Sequence, residues 1–96
     1  MTPLVIIGCG GFGREVWNNA QAINTVAPRF EILGMLDDNL SAENSAALHR
    51  IGATHLGGIE WFESAADDVH GVIAIGSPRA RSAIDSRFPE RLSLIH

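Results

Sequence analysis

Residues 4–16 read LVIIGCGGFGREV, and this stretch restricts the possible folds more than any other. Leu4 to Ile7 form an unbroken apolar run, rich in β-branched residues and ended by glycine, as expected of a strand buried on both faces of a parallel sheet. From Phe12 the apolar residues Phe12, Val16, Ala20 and Ile23 recur at helical spacing, with Arg14, Glu15, Asn18, Asn19 and Gln21 between them, and Pro28 closes the segment. Between this strand and this helix, Gly8-Cys9-Gly10-Gly11-Phe12-Gly13 has the G-x-G-x-x-G spacing. In that setting each glycine has its own task. Gly8 permits a tight turn out of the strand, Gly10 lets the backbone come within hydrogen-bonding distance of a diphosphate, and Gly13 lets the helix pack close to the strand. The N–H groups at the helix start, assisted by the helix dipole, then face an anion. A phosphate or diphosphate is the ligand such a loop suits; the bland alternative is a glycine turn needed only for close packing.

The remainder of the chain repeats the alternation. FEILGMLDDN, residues 30–39, reads as a second strand whose end is marked by Asp37, Asp38 and Asn39. Residues 40–52 are compatible with a short helix or a loop. A short strand is expected around ATHLG, residues 53–57, then a turn at Gly57-Gly58 and a helix through IEWFESA, residues 59–65, in which Ile59 and Phe62 share a face. VHGVIAIG, residues 69–76, is a fourth strand, and SPRARSAIDSRF, residues 77–88, a helix with Ser77 as N-cap and Pro78 at its first position. RLSLI, residues 91–95, reads as a last short strand. Strands alternating with helices over 96 residues predict one domain, a doubly wound α/β parallel sheet with flanking helices and the first strand near the middle.

The winding rule places ligands at the carboxyl edge of such a sheet, where the strand order reverses. Asp37 or Asp38, at the end of the second strand, is placed there to accept hydrogen bonds from a ribose, while turn formation and capping account for one of the two. Gly76 and Ser77 follow the fourth strand at the same edge. Arg79 and Arg81 begin the next helix and could face phosphate or sugar, although Arg79 reads better as an exposed surface residue. Trp17 and Trp61 lie in helical patterns beside core positions, so packing explains them better than base stacking.

Several function classes are disfavoured. The net charge is −4 and the seven basic residues are arginines spread from Arg14 to Arg91, which leaves no electrostatic footprint for nucleic acid. The four histidines lack the close pairing with a third ligand that a metal site shows. One cysteine, Cys9, excludes an internal disulfide and a cysteine-cluster zinc site. No apolar run near the start approaches the roughly 20 residues of a membrane span or the core of a signal peptide, so a cytoplasmic protein without a membrane partner is expected.

Taken together, LVIIGCGGFGREV, ILGMLDDN, LGG and VIAIGSPRAR resemble the N-terminal domain of the PglD/NeuD-like sugar O-acyltransferase family of bacterial surface-glycan and sialic acid pathways. The resemblance covers nearly the whole chain. It implies a small Rossmann-like domain over residues 1–96 that holds a nucleotide-sugar acceptor, UDP-linked in the PglD type. It further implies that Gly10, Gly11, Phe12 and Gly13 line the diphosphate and sugar, that Asp37 and Asp38 hold the uridine, and that Ile75 and Gly76 border the same crevice. Arg81 matches an arginine frequent in the family, whereas Ser77 stands where an Asp or Asn is often found. In the family a left-handed β-helix of hexapeptide repeats binds acetyl-CoA, carries the catalytic histidine and forms a homotrimer. No such repeat occurs before His96, so no cofactor and no catalytic residue are expected on this stretch. Two other readings of the glycine loop and the aspartates are an NAD(P)-binding module of an oxidoreductase and a non-catalytic CoA- or nucleotide-binding regulatory module.

Overall fold

Leu4, Val5, Ile6 and Ile7 are all buried because their strand has a neighbour on each side and helices on both faces. In the computed structural model, which describes residues 1–88, four parallel strands are ordered β3-β2-β1-β4, with β1 Thr2–Ile7, β2 Phe30–Leu36, β3 His55–Gly57 and β4 His70–Ile73. Four helices connect or follow them: α1 Gly11–Val26, α2 Ala42–Ile51, α3 Ile59–Ser64 and α4 Pro78–Arg87. This is a small Rossmann-like α/β fold. The predicted strand at residues 91–95 lies outside the described residues.

Successive side chains of β1 point to opposite faces, and each face has its own core. Leu4 and Ile6 pack with Val16 and Trp17 of α1, Leu48 of α2, and Phe30 and Met35 of β2. Val5 and Ile7 pack with Leu36 and Phe62, joined by Ile59 and Trp61 of α3 and Ile84 of α4. Thus α1 and α2 cover one face and α3 and α4 the other. Right-handed crossovers produce this arrangement: the chain steps outward from β1 to β2 to β3, then returns across β1 to β4, which moves its helices to the opposite face. The strand order reverses between β1 and β4, which fixes where the crevice opens.

Local chemistry sets the element ends. Asn24, near the end of α1, donates from Nδ2 to the Phe30 carbonyl and accepts at Oδ1 from the N–H groups of Arg29 and Phe30, which fastens the turn into β2. The segment 40–52 is a helix over Ala42–Ile51 because both ends are capped. Ser41 Oγ accepts from Asn44 N–H at 3.0 Å, and Gly52 takes a left-handed conformation at φ 75°. At α4, Ser77 Oγ accepts from Ala80 N–H and Pro78 opens the helix, as the sequence predicts. The second strand stops at Leu36, before the Asp37-Asp38-Asn39 turn, and the fourth at Ile73, before Ala74 and Ile75.

Two glycines govern how α1 meets β1. Gly8 has φ +121°, and a Cβ there would stand 2.6 Å from the Ala74 carbonyl oxygen. Gly13 lies against the Gly8 carbonyl oxygen so closely that a Cβ would overlap it, with Met35 Cε 3.1 Å away. Gly13→Ala is therefore expected to cost about 3 kcal/mol or more, or to prevent folding, since the obstacle is backbone. Gly11→Ala, at the first helical position with nothing within 4 Å of a new Cβ, should be neutral or stabilise by ~0.4–1 kcal/mol. Urea denaturation of the two variants checks the contrast.

Candidate functional site

A cleft of about 320 Å³ opens at the carboxyl edge of the sheet. Its floor is Ile7 and Gly8 from the end of β1 with Leu36, Asp37, Asp38 and Asn39 from the end of β2. Ile59 of α3, Ile75 after β4, and Ala80, Ala83, Ile84 and Arg87 of α4 form its walls. The lining is mostly apolar, with Asp37, Asp38 and Asn39 after β2 and Arg87 on α4 as its polar side chains, the usual composition of a small-molecule site.

Four of the residues singled out in the sequence meet there: Gly8, Asp37, Asp38 and Ile75. The others lie elsewhere. Gly13 is buried against β1 and has a packing role. Gly10, Gly11 and Gly76 do not line the cleft, and a Cβ on any of them would meet nothing within 4 Å among the described residues. Their φ angles also fall outside the left-handed range, so neither packing against the described residues nor backbone conformation requires glycine at these three positions. Phe12, in the first turn of α1, is 38% exposed, unusual for a large apolar side chain. Arg81 is exposed on α4 and does not line the cleft. Arg87 lines it instead, ion-paired with Glu63 of α3.

Both aspartates hold backbone. Asp37 Oδ2 accepts from Cys9 N–H at 3.2 Å and Oδ1 from Asn39 N–H at 3.0 Å. Its own N–H donates to the Gly57 carbonyl, and its carbonyl accepts from His55 Nε2 at 3.0 Å. Asp38 Oδ1 accepts from Ile59 N–H at 2.7 Å and so caps α3, whose N-cap Gly58 has no side chain to do this. The turn chemistry expected of one aspartate thus describes both. Each carboxylate oxygen keeps a further lone pair for a ligand donor.

At the α1 N-terminus no side chain caps the helix and no acidic residue stands in the first turn, so the first N–H groups are left to water or to an anion. Arg14 Nη1 donates both to the Cys9 carbonyl at 3.1 Å and to Asn44 Oδ1 at 2.9 Å, tying the loop to α2. Cys9 itself is fully buried. Burial, and then the Asp37 carboxylate, push its thiol from 9.0 up to about 11, against a smaller opposite pull from Arg14. A buried, neutral thiol is not a nucleophile. Among the described residues, no group of three or more His, Cys, Asp or Glu is placed to hold a metal ion, and no helix is long and apolar enough to cross a membrane.

Sequence reasoning missed the α4 wall and Arg14. The first had a signal: Ala80, Ala83, Ile84 and Arg87 recur at i, i+3, i+4 and i+7, one face of a helix. The second had none, because its partner Asn44 lies 30 residues away in sequence.

Two outcomes follow from these contacts. Asp37→Ala removes the acceptor of two backbone N–H groups and should lower stability by about 1–3 kcal/mol in urea denaturation. The unfolded Cys9 thiol ionises near 9.0 and the folded one near 11. Its contribution to stability is therefore complete below pH about 9 and is lost as the pH rises towards about 11. Thermal unfolding between pH 8 and 11 should show this fall, and Cys9→Ala should remove that part of it.

The family model described as the PglD N-terminal domain matches residues 3–88. Neither the comparison with curated proteins nor that with solved structures returns a match.

Proposed function

We propose, for a chain that belongs to the PglD N-terminal domain family and is thus a sugar acetyltransferase-family domain, that it binds a UDP-linked sugar as the acceptor of an acetyl group. The observation that carries this reading is the set of open glycines. Gly10, Gly11 and Gly76 lie beside the strand-order reversal and the uncapped N-terminus of α1, and nothing among the described residues needs them to lack a side chain. A ligand whose phosphates approach the backbone does need it.

The cleft supports the other half of the ligand. Asp37 and Asp38 offer acceptor lone pairs to the N–H and O–H donors of a base and ribose, and Ile7, Leu36, Ile59 and Ile75 supply apolar contact for a planar ring. Two carboxylates repel a diphosphate, so the phosphates belong at the glycines and the uncharged nucleoside in the cleft. The exposure of Phe12 in the first turn of α1 supports assigning its ring to the sugar. In this reading the chain binds and orients, while acetyl-CoA and the catalytic histidine belong to a β-helix domain of the kind the family carries.

Calorimetric titration with UDP-N-acetylglucosamine, with NADH and CoA in parallel, tests the reading. Binding of the UDP-sugar, lost by at least about tenfold in Gly10→Val while the far-ultraviolet circular dichroism is unchanged, is the expected result. Binding of NADH or CoA alone would replace the acceptor with a dinucleotide or an acyl carrier.

A further inference from the structure

The residue between the first two loop glycines is held at both of its backbone polar groups by charged side chains. Cys9 N–H donates to Asp37 Oδ2, and the Cys9 carbonyl accepts from Arg14 Nη1. Arg14 is fixed in turn, because the same nitrogen donates to Asn44 Oδ1 on α2. Hydrogen bonds to ionised groups are the stronger ones, so two of them on one residue determine how its flanking peptide planes lie.

The consequence follows from peptide geometry. No cis peptide occurs among the described residues, and in a planar trans peptide the C=O and N–H point in opposite directions. Turning the Gly8–Cys9 plane so that Cys9 N–H faces Asp37 directs the Gly8 carbonyl towards Gly13, where the close approach of α1 is found. Turning the Cys9–Gly10 plane so that the Cys9 carbonyl faces Arg14 directs the Gly10 N–H away from Arg14 and α2. Among the described residues that N–H has no acceptor, and Gly10 stands at the N-cap of α1 with open space around its Cα.

We propose that Arg14 is a positioning residue: through its bond to the Cys9 carbonyl, and held by Asn44, it aims the Gly10 N–H at a phosphate oxygen of the nucleotide. This rests on the proposed function for the ligand but adds a residue that does not touch it. Asp37 is the complementary half of the device, acting on the preceding peptide. A loop of glycines samples many orientations at low cost, and the two side chains limit that freedom before the ligand arrives, which lowers the ordering cost of binding.

The test compares wild type, Arg14→Met and Asn44→Ala by carbon-13 and nitrogen-15 NMR and by titration with UDP-N-acetylglucosamine. In the free proteins, the Cys9 carbonyl carbon should move upfield in Arg14→Met, as expected on losing a charged donor, and less in Asn44→Ala. On titration, the Gly10 amide proton of wild type should move downfield. That shift should be reduced in both variants, with Kd raised ~5- to 20-fold in Arg14→Met, the loss of about one charge-assisted hydrogen bond. Arg14→Lys, which keeps a cationic donor, should restore most of the affinity. An unchanged Cys9 carbonyl shift in Arg14→Met overturns the proposal without reference to any ligand. A wild type that binds, with Arg14→Met binding within twofold and showing the same Gly10 shift, overturns it while leaving the nucleotide-sugar reading intact. A wild type that does not bind the UDP-sugar refutes that reading and this inference together.

Discussion

The contact between Gly13 of α1 and the Gly8 carbonyl is the constraint on which the other features depend. It brings the start of a helix onto the exit of the central strand at a distance no side chain permits, and Met35 of β2 packs on the same spot. Because β1 is paired with β2 and β4, its end cannot shift to accommodate the helix: Gly8 N–H donates to the Leu36 carbonyl and Ala74 N–H to the Ile7 carbonyl. The helix must therefore fit the strand. Once it does, its N-terminus, its dipole and the open Gly10 and Gly11 are all located at the carboxyl edge of the sheet, beside the strand-order reversal. One packing contact thus places the anion-attracting end of α1 where the fold also leaves a cleft.

Charge serves geometry in this molecule. Asp37, Asp38 and Arg14 each hold main chain: Asp37 at Cys9 and Asn39, Asp38 at Ile59, Arg14 at Cys9. A half-buried carboxylate that accepts two backbone N–H groups offsets much of its desolvation locally. Each of the two oxygens of Asp37 still keeps a lone pair that its backbone donor does not use.

The alternation of strands and helices, the central position of β1 and the cap at Ser77 were legible in the sequence because each rests on local pattern: apolar period, glycine punctuation and capping chemistry. Four of the site residues were brought to the cleft by the same logic, since the winding rule alone sends the ends of β1, β2 and β4 to one edge. What was not legible depends on distance in three dimensions. The second strand ends at Leu36 because the Asp37 side chain turns back onto Asn39 and Cys9, a competition that composition cannot weigh. Arg81 and Arg87 stand six positions apart on one helix, and only the face that α4 turns to the sheet decides between them. The bridge from Arg14 to Asn44 joins two helices through a contact with no sequence signature.

The two sides of the cleft are built to different standards. Its floor belongs to the most buried strands, with Ile7 and Leu36 almost inaccessible and Asp37 fixed by four hydrogen bonds. Its outer wall, α4, contains no buried residue. That helix is held by Ile84, by the edge of Phe88 on the Phe62 ring at 4.8 Å between centroids, and by the Arg87–Glu63 pair. An exposed ion pair contributes little, so the apolar contacts do most of the holding. Ala80 and Ala83 keep the wall thin where a larger side chain would fill the space. The acceptors of the floor cannot move without disturbing the glycine loop, because Asp37 holds Cys9 N–H. The outer wall is the side that local opening reaches first, since α4 has no buried residue to hold it.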